Sequence, residues 1–243
     1  MELINDVITR DQIDNLLLER FVSVNEKNPI LRNVGAISVA DAEWVIKQYC
    51  FFPKKIISML VAACYSLAEY KRGEIVEELM QNIREEMGEG HGEISGYALP
   101  HYTLLKQEVQ GSFGFDLADS VPSQSTNVFV NAVTAIMESS DPAFVSGAVY
   151  ALENSAVPEL SLVRALVKST LEKKGVEMSD TFKAFFDWHI NDIEVEHRDR
   201  LFKVATHYLD STEDWESFQK GFIAVMETMD NWWISLSKEV HMG

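Results

Sequence analysis

Phe185-Phe186-Asp187-Trp188-His189-Ile190-Asn191-Asp192-Ile193-Glu194-Val195-Glu196-His197 places two imidazoles and four carboxylates in thirteen residues, among aromatic and branched apolar side chains. Ser179-Asp180-Thr181 just upstream is a helix start signal, so the stretch reads as helix. On a regular helix His189 and Glu196 share one stripe, but His197 lies about 80° round from His189. A strict α-helix therefore cannot aim both histidines at one place. One extra residue taken up as a π-bulge restores the register, setting His189, Glu194 and His197 at effective spacings of i, i+4 and i+7, and such bulges concentrate at functional sites. The plain alternative is an ordinary helix with solvent-facing histidines and acids.

Outward from this stretch the apolar spacing stays helical, as in Ile13, Leu16, Leu17 and Phe21 or Leu160, Leu162, Val163, Leu166 and Val167. Ser38-Val39-Ala40-Asp41 reads as a capping box, and Asp141-Pro142 puts proline at a first helical position. No Asn-Gly pair between alternating apolar runs signals a hairpin. Helices are expected near 10–22, 39–51, 53–70, 73–87, 97–109, 125–138, 141–154, 158–173, 179–208 and 212–239. Phe51-Phe52-Pro53 should break what is otherwise one long helix, since proline lacks the N–H and clashes with the preceding turn. Gln110 to Ser125 reads as a loop within one bundle, so a single all-α domain over residues 1–243 is expected.

Composition narrows the function classes. With 47% hydrophobic residues among 243 there is core enough for a stable fold. A formal charge of −17, from 38 Asp+Glu against 21 Lys+Arg, leaves no basic stripe for nucleic acid or an anionic membrane surface. Met1 to Asp6 has neither the basic nor the apolar region of a signal peptide, and the apolar runs Ile56 to Ala63 and Val128 to Met137 are too short to span a bilayer. A cytoplasmic location is expected. Cys50 and Cys64 lie in apolar helical pattern and read as buried structural thiols. The acidic run Glu74, Glu77, Glu78, Glu85, Glu86, Glu89 and Glu93 reads mostly as a solvated face.

The six histidines are uneven: none precedes His91, and His101, His189, His197, His207 and His241 follow. Imidazole beside carboxylate on several helices of a bundle suits a carboxylate-bridged two-metal site, where hard carboxylates neutralise the ions and histidine adds nitrogen ligands. Two further segments offer the combination. In Asn82-Ile83-Arg84-Glu85-Glu86-Met87-Gly88-Glu89-Gly90-His91, with His101 beyond, an acid at the end of one helix meets an imidazole at the start of the next. Glu85 and Glu86 point about 100° apart, so only one of them is expected to face the core. In Tyr150 to Glu159, Glu153 is embedded in the small, apolar run Val145 to Val157, where a carboxylate is costly unless paired or bound to a cation. The competing reading puts Glu153 at the solvent end of a helix that stops before Pro158.

Jointly, the three segments resemble the ligand pattern of the heme-oxygenase-like di-metal oxidases, the group that includes the chlamydial protein CADD, within the wider fold shared with TenA and PqqC. The resemblance spans about Asn82 to His197. The family's Asn-x-x-Glu-Glu-x-Gly-x-Gly setting with a following histidine is similar to Asn82, Glu86, Gly88, Gly90 and His101. Its Tyr-x-Leu-Glu context with a later Pro-Glu resembles Tyr150, Glu153, Pro158 and Glu159. Its late His-x3-Asp-x2-His appears here one residue longer, with Glu194 in place of Asp and Asp192 as the competing carboxylate. The gap from Glu86 to His101 also exceeds the family's, which makes His91 a competitor for that position.

The resemblance implies an all-α, heme-oxygenase-like bundle of about seven core helices. The helices at 53–70, 73–87, 141–154 and 179–208 should border a central pocket, with terminal helices covering it through Trp215, Phe218, Phe222, Trp232 and Trp233. It further implies two iron ions, or iron and manganese, held by Glu86, His101, Glu153, His189, Glu194 and His197. The activity implied is an oxidase or oxygenase acting with O2 on a small organic substrate, in a homodimer. A haem oxygenase would carry a proximal histidine early in the chain, and a TenA-type hydrolase would need a reactive thiolate that burial of Cys50 and Cys64 disfavours. A PqqC-like cofactorless oxidase and a CADD-like protein-interaction module stand as the alternatives.

Overall fold

Prolines, glycines and serine or aspartate caps set where several of the helices begin or end. The computed structural model describes residues 12–13, 15–16, 27–89 and 99–240, and among them no strand forms. A single turn, α1 (Pro29–Arg32), is followed by α2 (Val39–Tyr49), a 3-10 turn at Pro53–Lys55, α3 (Ile56–Glu69), α4 (Gly73–Glu86) and α5 (His101–Phe113). After a second 3-10 turn at Leu117–Asp119 come α6 (Gln124–Met137), α7 (Pro142–Lys174) and α8 (Asp180–Trp188). A π-helical segment, His189–Ile193, then leads into α9 (Glu194–Thr206), and α10 (Thr212–Glu239) closes the bundle. Of the expected helix at 10–22 only residues 12–13 and 15–16 are described, and they are helical.

Helix α7 is the axis of the bundle. Asp141 starts it by accepting hydrogen bonds from the Ala143 and Phe144 N–H groups. From Val145 to Ser155 every residue is buried, the pattern of a helix surrounded on all sides. It packs against α2, α3, α9 and, most extensively, α10. Gly147 and Gly221 make that last crossing close: a Cβ on Gly147 would overlap the Phe218 carbonyl, and one on Gly221 the Phe144 carbonyl. Helix α10, entered through a capping box between Ser211 and Asp214, is thus a core element with Phe218, Phe222, Trp232 and Trp233 buried.

Several expectations need correction. The helices expected at 141–154 and 158–173 are one, with Pro158 inside α7. An interior proline costs about 3 kcal/mol, and the apolar side chains that α7 buries on both sides of it, Leu152 and then Leu160, Leu162 and Val163, outweigh that cost. The helix expected at 97–109 begins at His101 and runs through Gly111 to Phe113, ending at left-handed Gly114 (φ 76°), so the irregular connection is shorter than Gln110 to Ser125. Ser38 caps α2 by accepting from the Asp41 N–H, but the Asp41 carboxylate takes the Ser38 hydroxyl, so the reciprocal half of a capping box is not made.

The break at Pro53 occurs as expected. Val39–Glu69 is long and apolar enough to cross a membrane by length and composition, yet it is interrupted between Tyr49 and Ile56, and both of its helices pack on α7. Cys50 and Cys64 are buried, and burial pushes their thiols up to about 12 and about 11.

Candidate metal centre

Four structural elements bring acids and imidazoles into one buried cavity. Helix α4 contributes Asn82 and Glu86 near its C-terminal end, just before Gly88 (φ 91°) turns the chain. Helix α5 opens with His101, α7 carries Glu153 and Glu159, and the π segment with α9 carries His189, Glu194 and His197. All six candidate ligands, Glu86, His101, Glu153, His189, Glu194 and His197, line this cavity. His91 and the side chain of Asp192 lie outside the described residues.

The six fall into two triads, and among the described residues the second alone brings one donor atom from each member within 4.8 Å of the others. In the first, His101 Nδ1 lies 3.2 Å from Glu86 Oε1 and 3.2 Å from His189 Nε2. In the second, Glu153, Glu194 and His197 each offer a donor atom, and these atoms all lie within 4.8 Å of one another. The π segment makes both possible. Its wider turn lets His189 face α5 while His197, eight residues on, faces α7 and α4.

Protonation follows from the contacts. His189 Nδ1–H donates to the Phe185 carbonyl at 2.6 Å, which leaves Nε2 with its lone pair toward the cavity. Burial, with His101 alongside, lowers the His189 imidazole to about 3, so it is neutral. His197 is the opposite case. Burial opposes its charge, but hydrogen bonds to Glu153 and Glu85 raise it to about 11, so the ring is an imidazolium in this state. Its Nδ1 is 3.4 Å from Glu153 Oε2, and its Nε2 pairs with Glu85 Oε2. Glu194 is pushed well above the usual carboxylate range by burial and then by the Glu153 carboxylate. For Glu86 burial is offset by His101, and the carboxyl ends below its ordinary value. Glu153 Oε1 accepts from Asn82 Nδ2 at 3.2 Å, while Asn82 Oδ1 is buried with no hydrogen-bond partner among the described residues.

Two acids outside the expected set matter. Both Glu85 and Glu86 turn inward, against the expectation that only one would, because α4 packs against α3 on one side and α9 on the other. Glu85 sits behind His197, held by Gln81 Nε2 at 2.6 Å and Arg200 Nη2 at 3.3 Å, and although burial works against it the His197 and Gln81 hydrogen bonds bring it down to about 2. Arg200 Nε also donates to Glu78 Oε1 at 2.7 Å. The available signal was the seven-residue spacing of Glu78 and Glu85, which puts them on one stripe of α4. Glu159 also lines the cavity, and its Oε1 accepts from Trp233 Nε1 at 3.0 Å.

The cavity has a volume of about 90 Å³, room for several water molecules. Away from the ligands its wall is apolar and aromatic, including Phe52, Ile56, Leu60, Leu105 and Phe185.

The sequence matches, over residues 7–239, the family described as a domain of unknown function with a solved structure, DUF3865. The fold is similar to the crystal structure of a CADD-like protein of unknown function from Nostoc punctiforme PCC 73102, with a TM-score of 0.86 and 28% identity over 95% of this chain and 96% of that one. A second crystal structure of the same protein gives a TM-score of 0.83 at 27% identity, over 94% and 93%. A domain of unknown function with a heme oxygenase-like fold from Shewanella denitrificans OS217 gives 0.67 at 16% identity, over 94% and 88%, a likeness of fold alone. No functionally curated protein matches the chain in sequence.

Proposed function

The chain belongs to the DUF3865 family, and we propose that it is a non-haem di-iron, or mixed iron/manganese, oxidase or oxygenase that uses O2 on a small organic substrate. The observation that carries this reading is the gathering of all six candidate ligands on one cavity, with Glu86 and His189 against His101 and with donor atoms of Glu153, Glu194 and His197 within 4.8 Å of one another.

The donor set fits two divalent ions. Carboxylate oxygen with imidazole nitrogen is the ligand chemistry of iron and manganese, and three carboxylates balance most of the charge of two dications. Glu153 and Glu194 are buried carboxyl groups close enough that ionising one opposes ionising the other, a conflict that a cation between them relieves. When bound, the metals supply one-electron redox steps and Lewis acidity toward O2.

The chain's own residues do the rest. Phe185 fixes the His189 tautomer through its carbonyl, leaving Nε2 as the ligand atom. Glu85 retains the His197 Nε2–H, so the proton released on ligation is the one on Nδ1, which faces Glu153. Gln81 and Arg200 hold Glu85 in turn. Asn82 orients Glu153 through its amide N–H. Apolar side chains, among them Leu60, Leu105 and Phe185, line the cavity beside these groups.

Anaerobic loading with Fe(II) tests this. Two equivalents of bound iron with an O2-sensitive absorbance are expected, and Glu153→Ala should abolish binding while circular dichroism shows the helices intact. No bound metal under any loading condition overturns the reading.

A further inference from the structure

Glu159 is a buried acid with no place among the candidate ligands. It lies six residues beyond Glu153 on α7, about 9 Å along the axis, and is 2% exposed. Trp233 occupies one of its oxygens. Among the described residues no cation pairs with it and no hydrogen bond reaches its other oxygen, although the residue lines the cavity. Among the described residues no lysine or arginine lines that cavity. Tyr49, also on the cavity wall, stacks on Trp233 with ring centroids 6.3 Å apart, so an aromatic side chain shares the wall with the acid.

This constellation selects a charge type. A carboxylate ligand would meet only an acid at this end, with no basic group to receive it. A wholly apolar ligand would leave a buried acid whose polar group is half unsatisfied, a cost that mutation to an apolar residue would remove. A ligand ammonium does neither: it supplies donors for the open oxygen, the opposite charge favours the ionised acid, and aromatic faces accept a cation.

We propose that the part of the cavity at Glu159 is a subsite for the protonated amine of the substrate, with the Glu159 carboxylate as counter-ion, Tyr49 on the same wall and Trp233 holding the acid from behind. The substrate class is therefore a small primary amine whose apolar portion lies along the cavity wall and whose reacting carbon faces the two triads. This rests on the reading of the cavity as a substrate chamber. Burial pushes the Glu159 carboxyl up to about 8, and a cation placed beside it would oppose that shift and favour the carboxylate.

The test is calorimetric titration of anaerobic, iron-loaded protein with three probes of matched size: pentylamine, 1-pentanol and pentanoate. Pentylamine should bind at least about ten-fold more tightly than the other two, the scale of a buried charge-assisted hydrogen bond. Glu159→Gln keeps an acceptor for Trp233 and should erase that preference while leaving 1-pentanol binding within about two-fold. Equal binding of amine and alcohol, a preference for pentanoate, no detectable pentylamine binding, or an unchanged preference in the variant overturns the proposal. The selectivity of the unaltered protein is decisive even where the variant does not fold. Iron content measured on the same samples separates the two readings: normal iron with no amine preference removes this inference alone, whereas amine binding without iron removes the oxidase assignment.

Discussion

Replacing Glu159 by glutamine isolates the cost of burying a carboxyl, because the amide has nearly the same volume and keeps an oxygen for the Trp233 N–H at 3.0 Å. Burial raises this carboxyl from 4.5 to about 8, so the folded chain holds a proton that the unfolded chain releases. Below the unfolded value both states are protonated and the cost vanishes. From there upward the unfolded state gains about 1.4 kcal/mol per pH unit, until the folded carboxyl itself ionises. The cost reaches about 3 kcal/mol at pH 7 and levels off near 5 kcal/mol above pH 8, to order of magnitude. Glutamine carries no such cost. Glu159→Gln should therefore match the parent near pH 4.5 and become more stable as pH rises, read as denaturant midpoints of metal-free protein at several pH values. A difference that does not change with pH would refute the reasoning, since it would mean that the acid ionises as freely in the fold as in water. The same substitution is expected to cost amine binding, so stability and binding should move in opposite directions.

Other perturbations probe the supports of the site. Glu85→Ala should weaken iron binding by about 10–100-fold without unfolding the bundle, measured by metal titration, because His197 loses the acceptor on its Nε2. Gly147→Ala should destabilise by at least about 2 kcal/mol in chemical denaturation, because the new methyl overlaps the Phe218 carbonyl; Gly111→Ala, with open space around it in α5, should instead stabilise by about 0.5–1 kcal/mol. Pro158→Ala restores a backbone donor inside α7 and should raise stability by about 1–3 kcal/mol, with slowed amide exchange in the turn around it.

What could be read from the chain alone follows from the range of the forces involved. The helices were legible because apolar spacing and caps act over a few residues, and the register conflict between His189 and His197 was legible because helix geometry is local: eight residues do not return to one face unless a wider turn intervenes, and His189–Ile193 is π-helical. Glu153 stood out for the same reason, as a charge set in an apolar run. Pro158 misled because its local cost is fixed while the compensating burial along α7 comes from other helices distant in sequence, α10 above all. The Glu85 and Glu159 contacts were out of reach for a related cause. Glu85 takes its role from His197 and Arg200, 112 and 115 residues later, and Glu159 takes its from Trp233, 74 residues later. Each looks like an ordinary solvated acid until its partners are placed. Local pattern thus marks where a charge is costly, but only the packing of α4, α7, α9 and α10 decides whether that cost is met by a metal, by a neighbouring imidazole or, as argued for Glu159, by the ligand itself.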